Sequence, residues 1–366
     1  MKILHTEASA GWGGQELRIL AEMQGLRDRG HQLELAAPAG ARIHREAAAL
    51  GFRVHDVPIA RKSLRGVRGM RRLLSAEPFD IVNTHSSTDS WMAALANALP
   101  GRKVPLVRTR HVSVPVSRNA ATRWLYNRAC AAIVTTGEKL KQELVEVNGF
   151  TDVPIRSVPT GIDPSRFAPA DPQSARVELG LQPLFTIGIL ATLRSWKGHA
   201  LLIEAFGQLR AQGRPVQLLI VGDGPQREAL EAQVAAAGLP QVVHFTGHDP
   251  RPERWLRAMD LFVLPSYANE GVSQALMQAM MSGLPAVTTN VGAMGEVARD
   301  GETALVVPPR DTPALAAALA RLVDDTALRE RLGRAARAFA LERCTLAAMC
   351  DAMEEVFEGV LARQRG

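Results

Sequence analysis

The sequence predicts an α/β protein of two doubly wound, Rossmann-like domains facing a central cleft. Three observations carry this. The chain has 366 residues, more than one hydrophobic core usually organises. Short apolar runs alternate with longer amphipathic stretches from end to end, which is the pattern of a parallel sheet covered on both faces. That alternation breaks once, at 157–173 (SVPTGIDPSRFAPADPQ), where four prolines and a glycine disrupt both periodicities. The division expected is 1–165, 166–345 and a final amphipathic segment, 346–366.

In the first domain KILHTE (2–7) reads as a strand. A glycine-rich turn follows, then a helical pattern in Leu17, Leu20, Ala21, Met23, Gln24 and Leu26 that ends near Gly30. QLELAAP, FRVHDVP, FDIVNTH, VPLVRTRH and AAIVTTG are further strands, with helical patterns in most of the gaps. The second domain restarts the alternation with FTIGILATL (185–193), QLLIVGDG, VVHFTG, LFVLPS, PAVTTN and ALVVPP. Helices are expected at about 198–212, 225–237, 252–259, 272–282 and 313–322, and a last one at 346–362. Doubly wound sheets bind ligands at the carboxyl ends of their strands, so the loops there are the candidate site.

Composition narrows the function. Hydrophobic residues make up 46% and charged residues 22%, which excludes wholesale disorder. Cys130, Cys344 and Cys350 are too few and scattered for a disulfide framework or a four-ligand zinc site, and read as buried thiols in a reducing compartment. No apolar run is long enough to span a bilayer, and the N-terminal residues lack the order of a signal peptide, so a cytoplasmic location is expected. The net charge of +6 is uneven: residues 1–166 carry 24 Lys and Arg against 15 Asp and Glu, the remainder 19 against 22. A basic first domain suits an anionic partner, and an Arg-rich composition without functional meaning fits as well.

Three loops carry candidate chemistry. In the first, Gly11, Gly13 and Gly14 between strand one and helix one would let the backbone approach a phosphate at a helix N-terminus. GWGGQE lacks the full dinucleotide spacing, however, and a plain tight turn fits equally. In the second, LRSWKG (193–198), Arg194 and Lys197 stand three apart after a strand, where they could embrace a diphosphate. In the third, Glu270 and Gly271 precede a helix opened by Val272 and Ser273, which sets a hydroxyl acceptor beside an anion-binding helix terminus. A glutamate favoured by the helix dipole is the simpler reading of that last pattern.

Taken together, GGQELRILAEMQGLRDRGH, FDIVNTHSS, PTGIDPSRF, GILATLRSWKGHALLIEAF, LLIVGDGP, VHFTG and DLFVLPSYANEGVSQALMQAMMSGLPAVTTNVGAMGEV resemble the family-4 glycosyltransferases of the GT-B fold, of the bacterial cell-surface glycan type. The likeness covers nearly the whole chain, most specifically 185–308. It implies transfer of a sugar from a nucleotide-diphosphate donor with retention of anomeric configuration. Gly13 and Gly14 would approach the donor phosphates, Arg194 and Lys197 would neutralise the leaving diphosphate, and Glu270 would bind sugar hydroxyls beside the Gly271, Val272 and Ser273 backbone. Gly222 and Gly247 belong to the donor-binding set, with the base read by backbone near Phe245 to His248. His111 aligns with a family histidine facing the donor sugar, and His85 is a further candidate. The last helix would cross back onto the first domain. The family's second glutamate is Gln278 here, which loses a charge-assisted bond to ribose, and Asn83 stands where relatives often carry histidine.

No Asp-x-Asp or His/Cys cluster is present, so neither a metal nor another cofactor is expected beyond the nucleotide-sugar donor. The acceptor expected is a glycan, lipid-linked or lipopolysaccharide-type molecule, which suits a basic first domain; a soluble sugar phosphate fits almost equally. Rival readings are a nucleotide-sugar epimerase of the same fold and a non-catalytic anionic-glycan-binding protein. Nucleic acid is disfavoured by the scarcity of aromatics, 5% overall. In RKSLRGVRGMRRLL (61–74), Arg61, Arg65, Arg68 and Arg72 form a helical stripe, with Leu64, Val67, Met70 and Leu74 expected to pack on the sheet. The stripe reads either as a solvated face or as a dock on anionic lipid at the inner face of the membrane.

Overall fold

The computed structural model describes residues 1–111, 115–268 and 270–365. Asn269, in the sequence YANEGVSQALMQAMMSGLP, and Gly366, the end of the last expected segment, lie outside the described residues. The chain forms two compact units, Met1–Gly161 with Leu346–Gly366, and Ile162–Thr345.

Among the described residues the first unit holds seven strands: β1 (Lys2–Thr6), β2 (Gln32–Ala37), β3 (Arg53–Asp56), β4 (Ile81–Thr84), β5 (Leu106–Arg110), β6 (Ala132–Thr135) and β7 (Ile155–Ser157). Their order is β3-β2-β1-β4-β5-β6-β7 and every pairing is parallel. Because side chains alternate across a strand, Ile3 enters one hydrophobic layer and Leu4 the other. The layer holding Ile3 is closed by the last helix, Leu346–Arg365, through Met349, Cys350, Met353, Val356, Phe357 and Val360. That stripe has helical spacing. It crosses helix Gly14–Asp28 at Gly25, where an added Cβ would lie 2.5 Å from Cys350 Sγ. Arg29 holds Asp351 at 2.7 Å and also pairs with Glu354, whose other oxygen meets His31 Nε2 at 2.7 Å.

The second unit holds β8 (Phe185–Leu190), β9 (Val216–Val221), β10 (Val243–Gly247), β11 (Leu261–Leu264), β12 (Ala286–Thr289) and β13 (Leu305–Val307). Their order is β10-β9-β8-β11-β12-β13, again all parallel. Central strands buried on both faces read as continuous apolar runs, as in Leu218–Val221 and Leu261–Leu264. In both sheets the strand order reverses once, between β1 and β4 and between β8 and β11. The loops leaving those strands flank the crevice where such sheets bind ligands.

Several elements differ from the sequence reading. FTIGILATL ends as a strand at Leu190, and Ala191–Arg194 turn away so that Leu193 is buried and Arg194 exposed. Helix Thr326–Arg343 was not expected, because arginines dilute its apolar stripe of Leu328, Leu332, Ala336, Phe339 and Ala340. Helix Pro172–Glu178 lies inside the proline-rich breaker: Asp171 caps it and Pro172 takes the first position, where proline is tolerated. The short edge strand β7 was likewise absent from the reading. All three cysteines are free and buried, and burial pushes the Cys130 and Cys344 thiols up to about 11.

Candidate active site

In the second unit, two loops at the switch point meet through one ion pair. Lys197 closes a short 3-10 turn, Ser195–Lys197, after β8, and its Nζ donates to Glu270 Oε1 at 2.7 Å. Glu270 is 5% exposed and Lys197 20%, so the pair sits at the edge of solvent. Backbone geometry fixes both partners. Gly198 follows Lys197 at φ +79°, where a Cβ would strike the Pro265 carbonyl oxygen at 2.2 Å. Gly292, at φ +65°, packs so closely that a Cβ would fall 1.8 Å from the Glu270 carbonyl oxygen. The Tyr267 N–H donates to the Trp196 carbonyl at 2.9 Å, a further bond between the loops.

The helix after Glu270 starts at Gln274, two residues later than expected. Ser273 is its N-cap, its hydroxyl accepting from the Leu276 N–H at 3.4 Å, so Gly271 and Val272 belong to the approach loop. Gln278 lies on this helix, half-buried, one face away from the core residues Leu276, Met277 and Met280. Gly222 has a packing role of its own: at φ +139° its Cα faces the Ala191 carbonyl, 2.0 Å from where a Cβ would stand, and its N–H donates to the Gly247 carbonyl at 2.9 Å. Gly247 is left-handed at φ +75°.

Arg194 is exposed and rests on the Trp196 ring, 5.3 Å from its centroid. It lines a pocket of about 330 Å³ together with Gly198, His199, Gln226, Tyr267 and Arg310. Lys197 and Glu270 do not line that pocket. Arg310 escaped the sequence reading. Its backbone is left-handed at φ 62°, and its guanidinium lies 4.2 Å from the Tyr267 ring centroid. His199 is buried behind Lys197, and burial with that neighbouring charge lowers its imidazole to about 4.

In the first unit, Gly13 caps the first helix in an extended conformation and Gly14 is its first residue. A Cβ on Gly13 would meet only Glu16 Oε2, at 3.9 Å, so the turn itself does not demand glycine there. Beneath this loop lie two carboxylates that the sequence reading passed over. Glu7 accepts from the Ser9 N–H at 2.7 Å and from Gln15, and burial with the nearby Asp89 holds its carboxyl well above the usual range. Asp89 accepts from Thr6 Oγ1 at 2.6 Å and from the His85 N–H at 2.9 Å.

Three histidines stand in a row at the ends of neighbouring strands. His5 Nδ1 is 2.9 Å from His85 Nε2, and His85 Nδ1 is 3.0 Å from His111 Nε2. Burial lowers all three imidazoles, His5 to about 3, and the positive charges of Arg18 and Arg108 add to this at His111. Asn83 ties the sheet to the first helix, since its Nδ2 donates to Glu22 Oε1 at 3.0 Å and its Oδ1 accepts from Thr109 Oγ1 at 2.8 Å.

The arginine stripe is shorter than expected. Its helix is Leu64–Ala76, capped by Ser63, so Arg61 precedes it, while Arg65, Arg68 and Arg72 are exposed on it. Leu64 does not pack on the sheet: as the first helical residue it is 75% exposed, and the buried face is Gly66, Met70, Leu73 and Leu74. The glycines serve that face. A Cβ on Gly66 would press on Met92 Sδ and the Pro58 carbonyl at 3.0 Å, and one on Gly69 on Pro58 and Val57 at 3.1 and 3.2 Å.

Two parallel Rossmann-like units are the architecture of the GT-B fold, and the family models and relatives that match the chain make it a glycosyltransferase of that fold. Residues 175–339 match the model of glycosyl transferases group 1, and residues 12–166 match that of Glycosyltransferase Family 4. The chain is 31% identical over 254 residues to the lipopolysaccharide core biosynthesis mannosyltransferase LpsB of Rhizobium meliloti, covering 65% of this chain and 70% of that one. It is 29% identical over 351 residues to the 2-deoxystreptamine glucosyltransferase of Streptomyces kanamyceticus, covering 86% and 89%. The crystal structure of Anabaena HepE in complex with UDP superposes with a TM-score of 0.87 over 98% of this chain and 100% of that one, at 22% identity. The chain belongs to glycosyltransferase family 4. Among the described residues no helix is long and apolar enough to cross a membrane.

Proposed function

We propose that this enzyme transfers a sugar, with retention, from a nucleotide-diphosphate donor to a glycan, lipid-linked or lipopolysaccharide-type acceptor. The observation that carries the reading is the Lys197–Glu270 pair at the switch point of the second sheet. An ammonium has three donors and Glu270 engages one, which leaves two for phosphate oxygens. Arg194, exposed beside it, would supply the second cation, and the helix N-terminus at Ser273 the partial positive charge. Charge on the departing diphosphate grows as the bond from the anomeric carbon breaks, so these groups act most strongly in the transition state. Glu270, oriented by Lys197, would accept sugar hydroxyls through Oε2. The bond from the anomeric carbon to phosphate oxygen breaks, that to the acceptor oxygen forms on the same face, and the acceptor proton passes to the leaving phosphate.

The donor class is supported by the UDP of the HepE structure, and the acceptor class by the lipopolysaccharide role of LpsB. Arg194 and Lys197 would do the work often given to a divalent metal. Gly13, Gly14 and His111 are proposed to serve the same reaction from the first unit. Exposed Leu64, Arg65, Arg68 and Arg72 suit a peripheral position on an anionic membrane, at its cytoplasmic face. Nucleotide release should be measured from UDP-, GDP- and ADP-sugars with and without lipid extract. Lipid-dependent release from one donor is the expected result; no turnover of any donor would overturn the reading.

A further inference from the structure

The row of three histidines has a direction. Each neutral imidazole carries one N–H and one bare nitrogen, so the three rings hold three protons on six nitrogens. The two links, 2.9 and 3.0 Å long, each take one proton, because two protons or two lone pairs would repel at that separation. The third proton therefore sits at one end of the row, on His5 Nε2 or on His111 Nδ1. His5 is fully buried and its Nε2 has no hydrogen-bond partner. Orphaned buried N–H groups are rarer in folded proteins than under-satisfied buried acceptors, which places the proton at the half-buried end of the row, on His111 Nδ1. All three rings are held neutral by burial, with the Arg18 and Arg108 charges adding to it at His111, so no extra proton relaxes the count.

We infer that His5 and His85 are positioning residues that lock His111 in its Nδ1–H tautomer, so that it presents a fixed hydrogen-bond donor, not a base, to a substrate oxygen. His5 Nδ1–H donates to His85 Nε2, and His85 Nδ1–H to His111 Nε2. For His111 Nδ1 to accept a proton, both links would have to reverse and leave an N–H in the dead end at His5. A fixed N–H suits a sugar hydroxyl, which needs orienting, and agrees with a transfer in which the leaving phosphate takes the acceptor proton. The inference about what His111 meets rests on the proposed function; the tautomer does not.

Nitrogen NMR of the intact, histidine-labelled protein tests it without substrate. Two-bond 15N–1H correlations assign the tautomer, and through-hydrogen-bond 15N–15N couplings link the rings in the parent spectrum. Nδ1–H on all three rings is expected, and Nε2–H on His111 or His85 would overturn the lock. His5→Phe should keep the His111 Nδ1–H form. His5→Gln, whose amide oxygen can accept from His85 Nε2, should let the Nε2–H form of His111 appear; an unchanged spectrum there would remove the positioning role. In nucleotide release, His111→Asn, which keeps an N–H near the Nδ1 place, should retain at least roughly tenfold more activity than His111→Gln, the worth of about one hydrogen bond. A parent spectrum as expected beside a fully active His111→Phe would leave the tautomer standing and overturn the role of His111 in transfer.

Discussion

Lys197 Nζ and Glu270 Oε1 stand 2.7 Å apart, and that ion pair, with the Tyr267 N–H to Trp196 carbonyl bond, ties the loop leaving β8 to the loop leaving β11. The two strands are neighbours in the sheet, paired in parallel through Leu261 and Ile187. The pair thus stabilises the arrangement of both loops and sets the orientation of the carboxylate. Its two members differ in consequence, since Glu270 is the more buried.

Glu270→Gln keeps an oxygen that can accept from Lys197 but removes the charge that strengthens bonds to sugar hydroxyls. Turnover should fall by one to three orders of magnitude, roughly 1.4 to 4 kcal/mol of transition-state stabilisation, with the melting temperature little changed. Full activity with the true donor, measured by nucleotide release, would contradict the role given to this carboxylate.

Lys197→Ala and Arg194→Ala should separate. The lysine is paired, so its loss leaves a buried carboxylate without its partner and should lower thermal stability as well as turnover and nucleoside diphosphate affinity. Arg194 is exposed and stacked on Trp196, so its loss should weaken diphosphate binding and turnover and leave the melting temperature in place. Calorimetry with UDP, GDP and ADP beside thermal melts reads both; unchanged affinity in the double variant would remove the phosphate clamp.

Much of this was legible in the sequence because its signals are local. A strand followed by a basic turn and an amphipathic stretch fixes the place of Arg194 and Lys197, and a Glu-Gly pair just before an apolar helical pattern fixes Glu270. Contacts between distant segments were not legible. Neither Lys197 nor Glu270 announces the other at a sequence separation of 73. The His5–His85–His111 row is made by three strand ends that only the sheet order brings together. Leu64 was misplaced for a different reason: helical periodicity assigns a face but not a starting residue, and the cap at Ser63 puts Leu64 in the exposed first turn.

Glu22 offers a pH test. Fully buried, with Asn83 donating to it and Arg18 Nε 3.7 Å away, its carboxyl is raised by burial to about 7, above its unfolded value. Between the ordinary carboxylate range and about pH 7 the unfolded chain therefore releases a proton that the folded chain keeps. Its contribution to stability is full at acid pH and is lost as pH rises through that window, by at most about 1.4 kcal/mol per pH unit. Glu22→Gln should abolish this component, so the difference between variant and parent in denaturant melts should grow in the variant's favour from pH 5 to pH 7. A difference independent of pH would mean that Glu22 is ionised throughout. The buried histidines slope the other way, but they are common to both proteins and cancel in the difference.

The exposed face of helix Leu64–Ala76 makes the last prediction. Arg65, Arg68 and Arg72 follow one another at spacings of three and four, which places them on one side of the helix, and Leu64 stands beside them in the first turn. Gly66, Met70, Leu73 and Leu74 bury the opposite side and Gly69 packs at the flank on Pro58 and Val57, so the helix is anchored and its charged face is fixed outward. Near an anionic lipid surface each arginine contributes on the order of 1 kcal/mol, which salt screens. The leucine adds apolar contact that salt does not weaken. Sedimentation with phosphatidylglycerol vesicles should therefore show binding that fades with added salt and drops sharply when the three arginines become glutamine. Leu64→Ser should lower binding at every salt concentration by a similar factor. Because Arg61 lies before the helix, Arg61→Gln should matter less than any of the three. Vesicle binding indifferent to the triple substitution would make the stripe ordinary solvated surface and shift the acceptor toward a soluble molecule.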